Sequence, residues 1–335
     1  MFHHFNRFVT VLRKDSRLRK SLRRNAGSLF TTIFRVYFSR SYNKLIIINL
    51  TEHIGDIVAS EPVAYHLRKL HPKAFIIWSL NEKYKELVNY NPNIDKVLKL
   101  SSLMEWILLK KLFFPFLSIY DLHLNGKRCS KHRISSKNSV NTTLNFSNYL
   151  QQGNLLKIGS MAAGINDMPD IAPRFHFKNP VHSRLIDPPY IVLHTLSNDE
   201  ERNWCNRKWN ELVTRILVKD QEIHIVEIGL QNVIKSGCDR YHNFTGKLDF
   251  QETAHIIKSS DLFIGVESGF GHVANALSKN SIIMIGYFQG FKNYMVYSGP
   301  FARGENVSLL YHPGKLEQLD VVEVEKEVSN RMMIG

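Results

Sequence analysis

Three loops hold the residues of this 335-residue chain whose types and spacing could do chemistry. The first follows the apolar run KLIIINL (44–50) and reads Thr51-Glu52-His53-Ile54-Gly55-Asp56. Gly55 lets backbone approach a ligand closely, and Asp56 behind it would open a helix with a short carboxylate aimed outward. There Asp56 could take a proton from an attacking hydroxyl, with His53 and Glu52 as alternative bases. The competing reading makes Asp56 only a helix cap, worth about 1 kcal/mol, and spacing alone favours that cap. Pro62 downstream either kinks the helix or marks its true first turn.

The second loop follows LFIGV (262–266) and reads Glu267-Ser268-Gly269-Phe270-Gly271-His272. A helix starting near Phe270 would present free backbone N–H groups and its positive dipole end to a phosphate, with His272 in the first turn as a further donor. Otherwise Ser268 is an ordinary cap and His272 packs on a neighbouring loop. The loop fits neither the dinucleotide fingerprint nor a P-loop. The third loop spans 194–209, where Arg202, Arg207 and Lys208 could bring charge to a diphosphate and Thr195 and Ser197 could donate hydroxyls. Arg202 beside Asp199, Glu200 and Glu201 could equally form a surface pair, and Trp204 and Trp209 read as packing.

The elements that must position these loops alternate between strand and helix. Runs at 44–50, 74–80, 95–100 and 120–124 read as buried strands, with helical spacing over 56–71 and 82–90. A second series places strands at 190–196, 222–229, 262–266 and 281–288, helices at 207–219, 250–259 and 271–279, and an amphipathic tail helix at 316–330. Strands alternating with helices imply parallel βαβ units, so the fold class is α/β with two doubly wound domains. The predicted domains are a basic extension over 1–43, a first domain over 44–180 and a second over 181–335, with a linker near 171–187. In open parallel sheets ligands collect beyond the carboxyl ends of the strands, so two such domains would face each other across a cleft.

Composition narrows the alternatives. With 44% apolar residues the chain can bury a full core in each domain, which excludes intrinsic disorder. Cys129, Cys205 and Cys238 lie far apart without CxxC or matched His spacing, so neither a disulfide framework nor a structural zinc site is indicated, and the chain reads as cytosolic. Of the net charge of +14, residues 1–40 contribute +9, from ten Arg and Lys against Asp15. The same segment carries aromatics, as an interfacial helix would. Its longest apolar stretch, LFTTIFRVYF, is too short to span a bilayer, which needs about 20 residues. The head is thus a solvated extension, an anchor for anionic lipid or, third, a nucleic-acid arm, which no recognition motif accompanies.

Taken together the loops resemble the ADP-heptose:lipopolysaccharide heptosyltransferase family, glycosyltransferase family 9, over roughly 44–290. The likeness rests on Gly55-Asp56 with Pro62 downstream; Pro72, Ala74, Trp78, Asn91-Pro92 and Ile94-Asp95; Tyr120-Asp121 and Asn125-Gly126; His194 through Trp204 to Trp209; and Phe244-Thr245-Gly246 leading to Ser268-Gly269 and His272. Their order and spacing over two domains reverse the preference for a mere cap at Asp56. The resemblance implies the two-Rossmann GT-B architecture and inverting transfer of a sugar, heptose from ADP-heptose, to a hydroxyl on the lipopolysaccharide inner core.

Under that resemblance Asp56 matches the general base, Arg202 the residue holding the donor phosphates, and Ser268, Gly269 and His272 the donor loop. Thr195 and Ser197 fall at hydroxyl donors to phosphate. Glu267 stands where the family usually has Asp, and Gln231 stands near an acid that contacts the nucleotide ribose, where an amide can still hydrogen-bond. Gly55 and His53 fall on the acceptor side, and Lys110 and Lys111 reach acceptor phosphates or membrane, or simply end a helix favourably. No metal or cofactor is implied; cationic side chains and helix N–H groups would stabilise the leaving diphosphate. The implied partners are a nucleotide sugar, a phosphorylated lipid-linked acceptor and, through residues 1–40, the anionic cytoplasmic face of the inner membrane; no nucleic acid is expected. The alternatives are an epimerase or hydrolase of the same architecture and a non-catalytic basic binding protein.

Overall fold

A computed structural model describes residues 10–332 except 130, 133, 137–139, 180–185 and 187–188. The chain divides into two compact units: Met1–Gln152 with Leu156–Pro169, and Gly153–Leu155 with Asp170–Gly335. The division falls some ten residues ahead of the expected 180/181 boundary, because the segment after Asp170 is fastened to the second unit. Ser298 Oγ donates to the Ile171 carbonyl at 2.8 Å, and Lys178 N–H donates to Gln251 Oε1 at 2.9 Å. Residues 180–185 and 187 of the expected linker near 171–187 lie outside the described residues.

The first unit is built on a parallel sheet of β1 (Lys44–Asn49), β2 (Ala74–Asn81), β3 (Lys96–Leu100) and β4 (Ser118–Asp121), in the order β3-β2-β1-β4 among the described residues. β1 and β2 are β-branched and buried on both faces, as strands covered from both sides must be. Where one helix was expected over 56–71 there are two, α2 (Ile54–Ala59) and α3 (Glu61–Leu70). Pro62 sits in the first turn of α3, where its missing N–H breaks no helical bond. The 82–90 segment is a 3₁₀ turn over Glu82–Leu87, and α4 (Leu103–Phe113) precedes β4.

From Ser16 to Phe38 the basic head is not an extension but a layer of this unit. After the N-cap Asp15, whose carboxylate accepts from Leu18 N–H at 3.0 Å, α1 runs from Ser16 to Phe38. It buries Leu18, Ser21, Asn25, Leu29, Thr32 and Val36, spaced by three or four residues on one face. Leu18, Leu29 and Val36 join the core of Leu45, Ile47, Ile77, Leu98, Trp106 and Leu109. Asn25 and Ser21 donate to the fully buried Glu105 carboxylate at 2.6 and 3.0 Å, and Lys96 Nζ donates to Thr32 Oγ1 at 2.9 Å. The six cations of this helix, Arg17, Arg19, Lys20, Arg23, Arg24 and Arg35, are all exposed on its other faces.

In the second unit, β5 (Tyr190–His194), β6 (His224–Ile228), β7 (Tyr241–Asn243), β8 (Leu262–Val266), β9 (Ser281–Ile285) and β10 (Val307–Tyr311) form a parallel sheet in the order β10-β9-β8-β5-β6-β7. Counted from its first strand this is the 3-2-1-4-5-6 order of a dinucleotide-binding domain. Around it lie α5 (Asn206–Lys219), α6 (Phe250–Ser259), α7 (Gly269–Ala276) and α8 (Val321–Met332). The short edge strands β7 and β10 were not anticipated from the sequence. The topology places a switch point in each unit, between β1 and β4 and between β5 and β8, where crossovers leave in opposite directions and a crevice must open at the carboxyl ends.

Candidate functional sites at the two switch points

Asp56 lies at the switch point of the first unit, in the first turn of α2, half-buried. Its Oδ2 accepts the backbone N–H of His53 at 3.2 Å, while no described residue donates to Oδ1. The capping and catalytic readings are therefore compatible: one oxygen fixes the carboxylate's rotamer and the other is left to accept a proton. His53 is exposed, 4.0 Å from Glu52, which in turn lies 3.9 Å from Lys127. Gly55 is half-buried beside Asp56 in the same turn.

Beneath this loop lies a buried polar network that sequence reasoning missed. Asp121, at the end of β4, accepts Asn49 Nδ2 at 2.9 Å and His123 Nδ1 at 2.9 Å on one oxygen, and Trp106 Nε1 at 3.2 Å on the other. His123 Nε2 accepts the Thr51 backbone N–H at 3.1 Å, so a carboxylate-to-imidazole chain holds the start of the Asp56 loop. Burial alone would raise the Asp121 carboxyl, but the hydrogen bond from His123 and the Lys110 ammonium outweigh it and hold it well below the usual carboxylate range. Lys110, expected at acceptor phosphates, at membrane or at a helix end, lies in the last turn of α4 and is this ammonium, 3.3 Å from Asp121. Only Lys111 is exposed. The available signal was Asp121-Leu122-His123, two polar residues one apart on the same face at a strand's carboxyl end.

At the switch point of the second unit, Glu267 follows β8 and Arg202 comes from the loop after β5; Arg202 NH1 lies 2.6 Å from Glu267 Oε2. Tyr294 OH also donates to that oxygen at 3.3 Å, and the guanidinium lies 4.3 Å over the Phe288 ring. Burial would lower the Arg202 guanidinium, but the Glu267 carboxylate beside it raises it. The surface-pair reading of Arg202 with its sequence neighbours gives way to a partly buried pair with Glu267. Arg202 Nε is buried with no acceptor among the described residues, leaving a directed donor unused.

Several expected donors are already engaged. The Thr195 hydroxyl donates to Glu227 Oε1 at 2.9 Å and is buried, and Ser197 Oγ donates to the Asp199 carbonyl at 2.7 Å. Ser268 precedes α7 but does not cap it; its Oγ lies 3.0 Å from His194 Nδ1. His272 is only 1% exposed and packs on the Tyr297 ring at 4.7 Å, so it does not reach outward to a phosphate. A side chain in the first turn of α7 at that position faces the core, while the backbone N–H groups of Gly269 and Phe270 keep the outward direction. Gln231 is exposed in the segment after β6, and Gly269 is half-buried at the helix start.

His194 ends β5 beneath this loop. Desolvation pushes its imidazole down to about 4, against about 6.5 in an unfolded chain. Between these values the unfolded chain takes up a proton that the folded one refuses, so stability falls as pH drops through the window, by on the order of 3 kcal/mol at most. Urea midpoints measured across that range should fall, and a His194→Asn chain should show a shallower slope; equal slopes would assign the dependence to other groups.

Comparisons with known proteins bear on both sites. Residues 161–291 match the family model described as glycosyltransferase family 9 (heptosyltransferase). Over that stretch the chain is similar to glycosyltransferase family 9. It is 26% identical over 299 residues to lipopolysaccharide heptosyltransferase 1 of Campylobacter coli, covering 75% of this chain and 86% of that one. The autotransporter heptosyltransferase TibC of Escherichia coli O78:H11 is 28% identical over 112 residues, 31% of this chain, and the match spans only 27% of TibC. Among solved structures, the family 9 glycosyltransferase of Veillonella parvula has a TM-score of 0.64 at 14% identity, covering 89% of this chain and 99% of that one. The E. coli ADP-heptose lipopolysaccharide heptosyltransferase II has a TM-score of 0.63 at 15% identity, covering 87% and 99%. At such identities these structures establish the fold, and the fold is GT-B.

Among the described residues, no group of three or more His, Cys, Asp or Glu side chains is arranged to hold a metal ion, and no helix is long and apolar enough to cross a membrane.

Proposed function

We propose that this chain is a family 9 inverting glycosyltransferase that moves heptose from ADP-heptose onto the lipopolysaccharide inner core. The observation that carries the reading is that Asp56 and the Arg202–Glu267 pair each stand at the switch point of their own parallel sheet, the place where that topology binds ligands. The acceptor hydroxyl gives its proton to Asp56 as its oxygen bonds to the anomeric carbon. The bond from that carbon to the donor phosphate oxygen breaks, and the nucleoside diphosphate leaves. Arg202, with its unused Nε–H, and the N-terminal N–H groups of α7 take up the developing charge; no metal or cofactor is required. Glu267 and Gln231 would contact the donor sugar and ribose, and Lys111 with His53 and Gly55 would face the acceptor. A lipopolysaccharide acceptor is favoured over an autotransporter because likeness to the lipopolysaccharide enzyme extends over most of both chains. The reading places the enzyme at the cytoplasmic face of the inner membrane.

A thermal-shift panel of nucleotide sugars tests it. ADP-heptose at a hundred times its dissociation constant should stabilise the chain by about 2.7 kcal/mol, raising the melting temperature by a few degrees. A larger shift from a uridine or guanosine sugar would displace ADP-heptose as donor, and donor consumption without acceptor would indicate an epimerase or hydrolase.

A further inference from the structure

The buried stripe of α1 accounts for one face of that helix; the opposite face carries an unusual surface. Phe30, Phe34, Tyr37 and Phe38 are separated by 4, 7 and 8 positions and share one face, with exposures of 64, 57, 60 and 75%. Beside them the turn after α4 exposes Phe114 and Phe116, and Tyr37 OH donates to the Phe116 carbonyl at 3.2 Å, joining the two segments. Phe30, Phe34, Tyr37, Phe38, Pro115 and Phe116, with Ile33, line one shallow groove of about 430 Å³. Isolated exposed apolar residues need no explanation, but a contiguous aromatic cluster built from two segments marks an interaction site.

Charge identifies the occupant. On the same outward stripe, Arg19 and Arg23 lie eleven residues, about three turns, before Phe30 and Phe34. Arg17, Lys20, Arg23 and Arg35 are all exposed. One helix face thus presents cations over its first half and aromatics over its second. A symmetric pair of such faces would bring two helices of net charge +6 together, which opposes self-association. An anionic bilayer satisfies both halves, with lipid phosphates at the cations and acyl chains against the rings.

We propose that the outer face of α1 and the Phe114–Phe116 turn form a composite bilayer-docking surface that inserts aromatics into an anionic leaflet. The inference deepens the membrane reading above, replacing a charge tether along residues 1–40 with a defined surface whose second half comes from residues 114–116.

Flotation of the full chain with vesicles of phosphatidylglycerol and phosphatidylcholine tests it. The native chain should bind these and bind pure phosphatidylcholine at least about tenfold less. Phe34→Glu/Phe38→Glu/Phe116→Glu should lose binding at least about tenfold, and Phe116→Glu alone several-fold, at unchanged melting temperature because all three side chains are exposed. Sugar transfer to a soluble, lipid-free core fragment should be unaffected in both, which separates this surface from the catalytic reading. If the aromatic variants bind as the native chain while Lys20→Glu/Arg23→Glu fails, the charge tether stands and the composite surface does not. Absence of vesicle binding by the native chain overturns both. A native dimer that the aromatic variants dissociate, with no vesicle binding, would make the face a self-association surface and end the proposal.

Discussion

An Asp56→Asn chain is expected to bind nucleotide sugar as the native protein does and to transfer it about 10²–10⁴-fold more slowly, the usual contribution of a positioned general base. The prediction is sharp because asparagine separates the carboxylate's two tasks. The side-chain oxygen that accepts the His53 N–H can be retained, so the start of α2 and the loop before it should keep their shape. What disappears is the second oxygen's capacity to take a proton. Asp56→Ala would remove both, adding a capping loss of about 1 kcal/mol that confuses the comparison. Rates with saturating donor and acceptor, alongside donor binding by thermal shift, give the measurement. Full activity in the asparagine chain would leave Asp56 as a cap and turn attention to His53. Because Asp121 and His123 touch the loop and not Asp56 itself, they act by positioning it.

How much of this was legible in the residues depends on where the information resides. Strand cores were legible because β-branched runs such as Lys44–Asn49 and Leu262–Val266 are buried on both faces and read as continuous apolar stretches. Edge strands were not, since Tyr241–Asn243 is short and half-exposed and lacks that signal. The packing of the head was missed for a related reason. Its buried face alternates Leu18, Leu29 and Val36 with Ser21, Asn25 and Thr32, and the three polar residues become core-compatible only through Glu105 and Lys96, which are distant in sequence.

The sites show the same division. Loop positions followed from the strand–helix alternation, and the sheet order confirms Asp56, Arg202 and Glu267 at carboxyl ends of strands. The direction of individual side chains did not follow, because it is decided by partners contributed from other strands. His272 turns to Tyr297, Ser268 to His194, Lys110 to Asp121 and Thr195 to Glu227.

That last contact supports the largest stability effect expected in the protein. Glu227 on β6 has no exposed surface and receives five hydrogen bonds. Thr195 Oγ1 and Val233 N–H donate to Oε1, each at 2.9 Å; Asn232 Nδ2 and Tyr241 OH, each at 2.6 Å, and Ile234 N–H, at 3.2 Å, donate to Oε2. The carboxylate thereby ties the loop after β5, the segment after β6 and the edge strand β7 to one point. Two of the donors are buried backbone groups with no other way to be satisfied, and their desolvation cost returns in full when the acceptor is removed. Glu227→Ala is therefore expected to cost about 3–5 kcal/mol, the range seen when one member of a buried charged network is deleted. Glu227→Gln keeps the shape but turns an NH₂ toward donors, and should cost about half as much. Urea unfolding followed by tryptophan fluorescence, in a background carrying Trp78→Phe and Trp106→Phe, reads the effect, since the remaining Trp204 and Trp209 are buried in the core of the same unit. The Asp56 loop belongs to the other unit's sheet, so a loss confined to the tryptophan transition of the second unit, with nucleotide-sugar binding weakened through Thr195 and the Arg202 loop, is the full expectation. A midpoint unchanged by Glu227→Ala would mean that water replaces the carboxylate without penalty, and the five-bond cage would then contribute nothing to the stability of the donor-side unit.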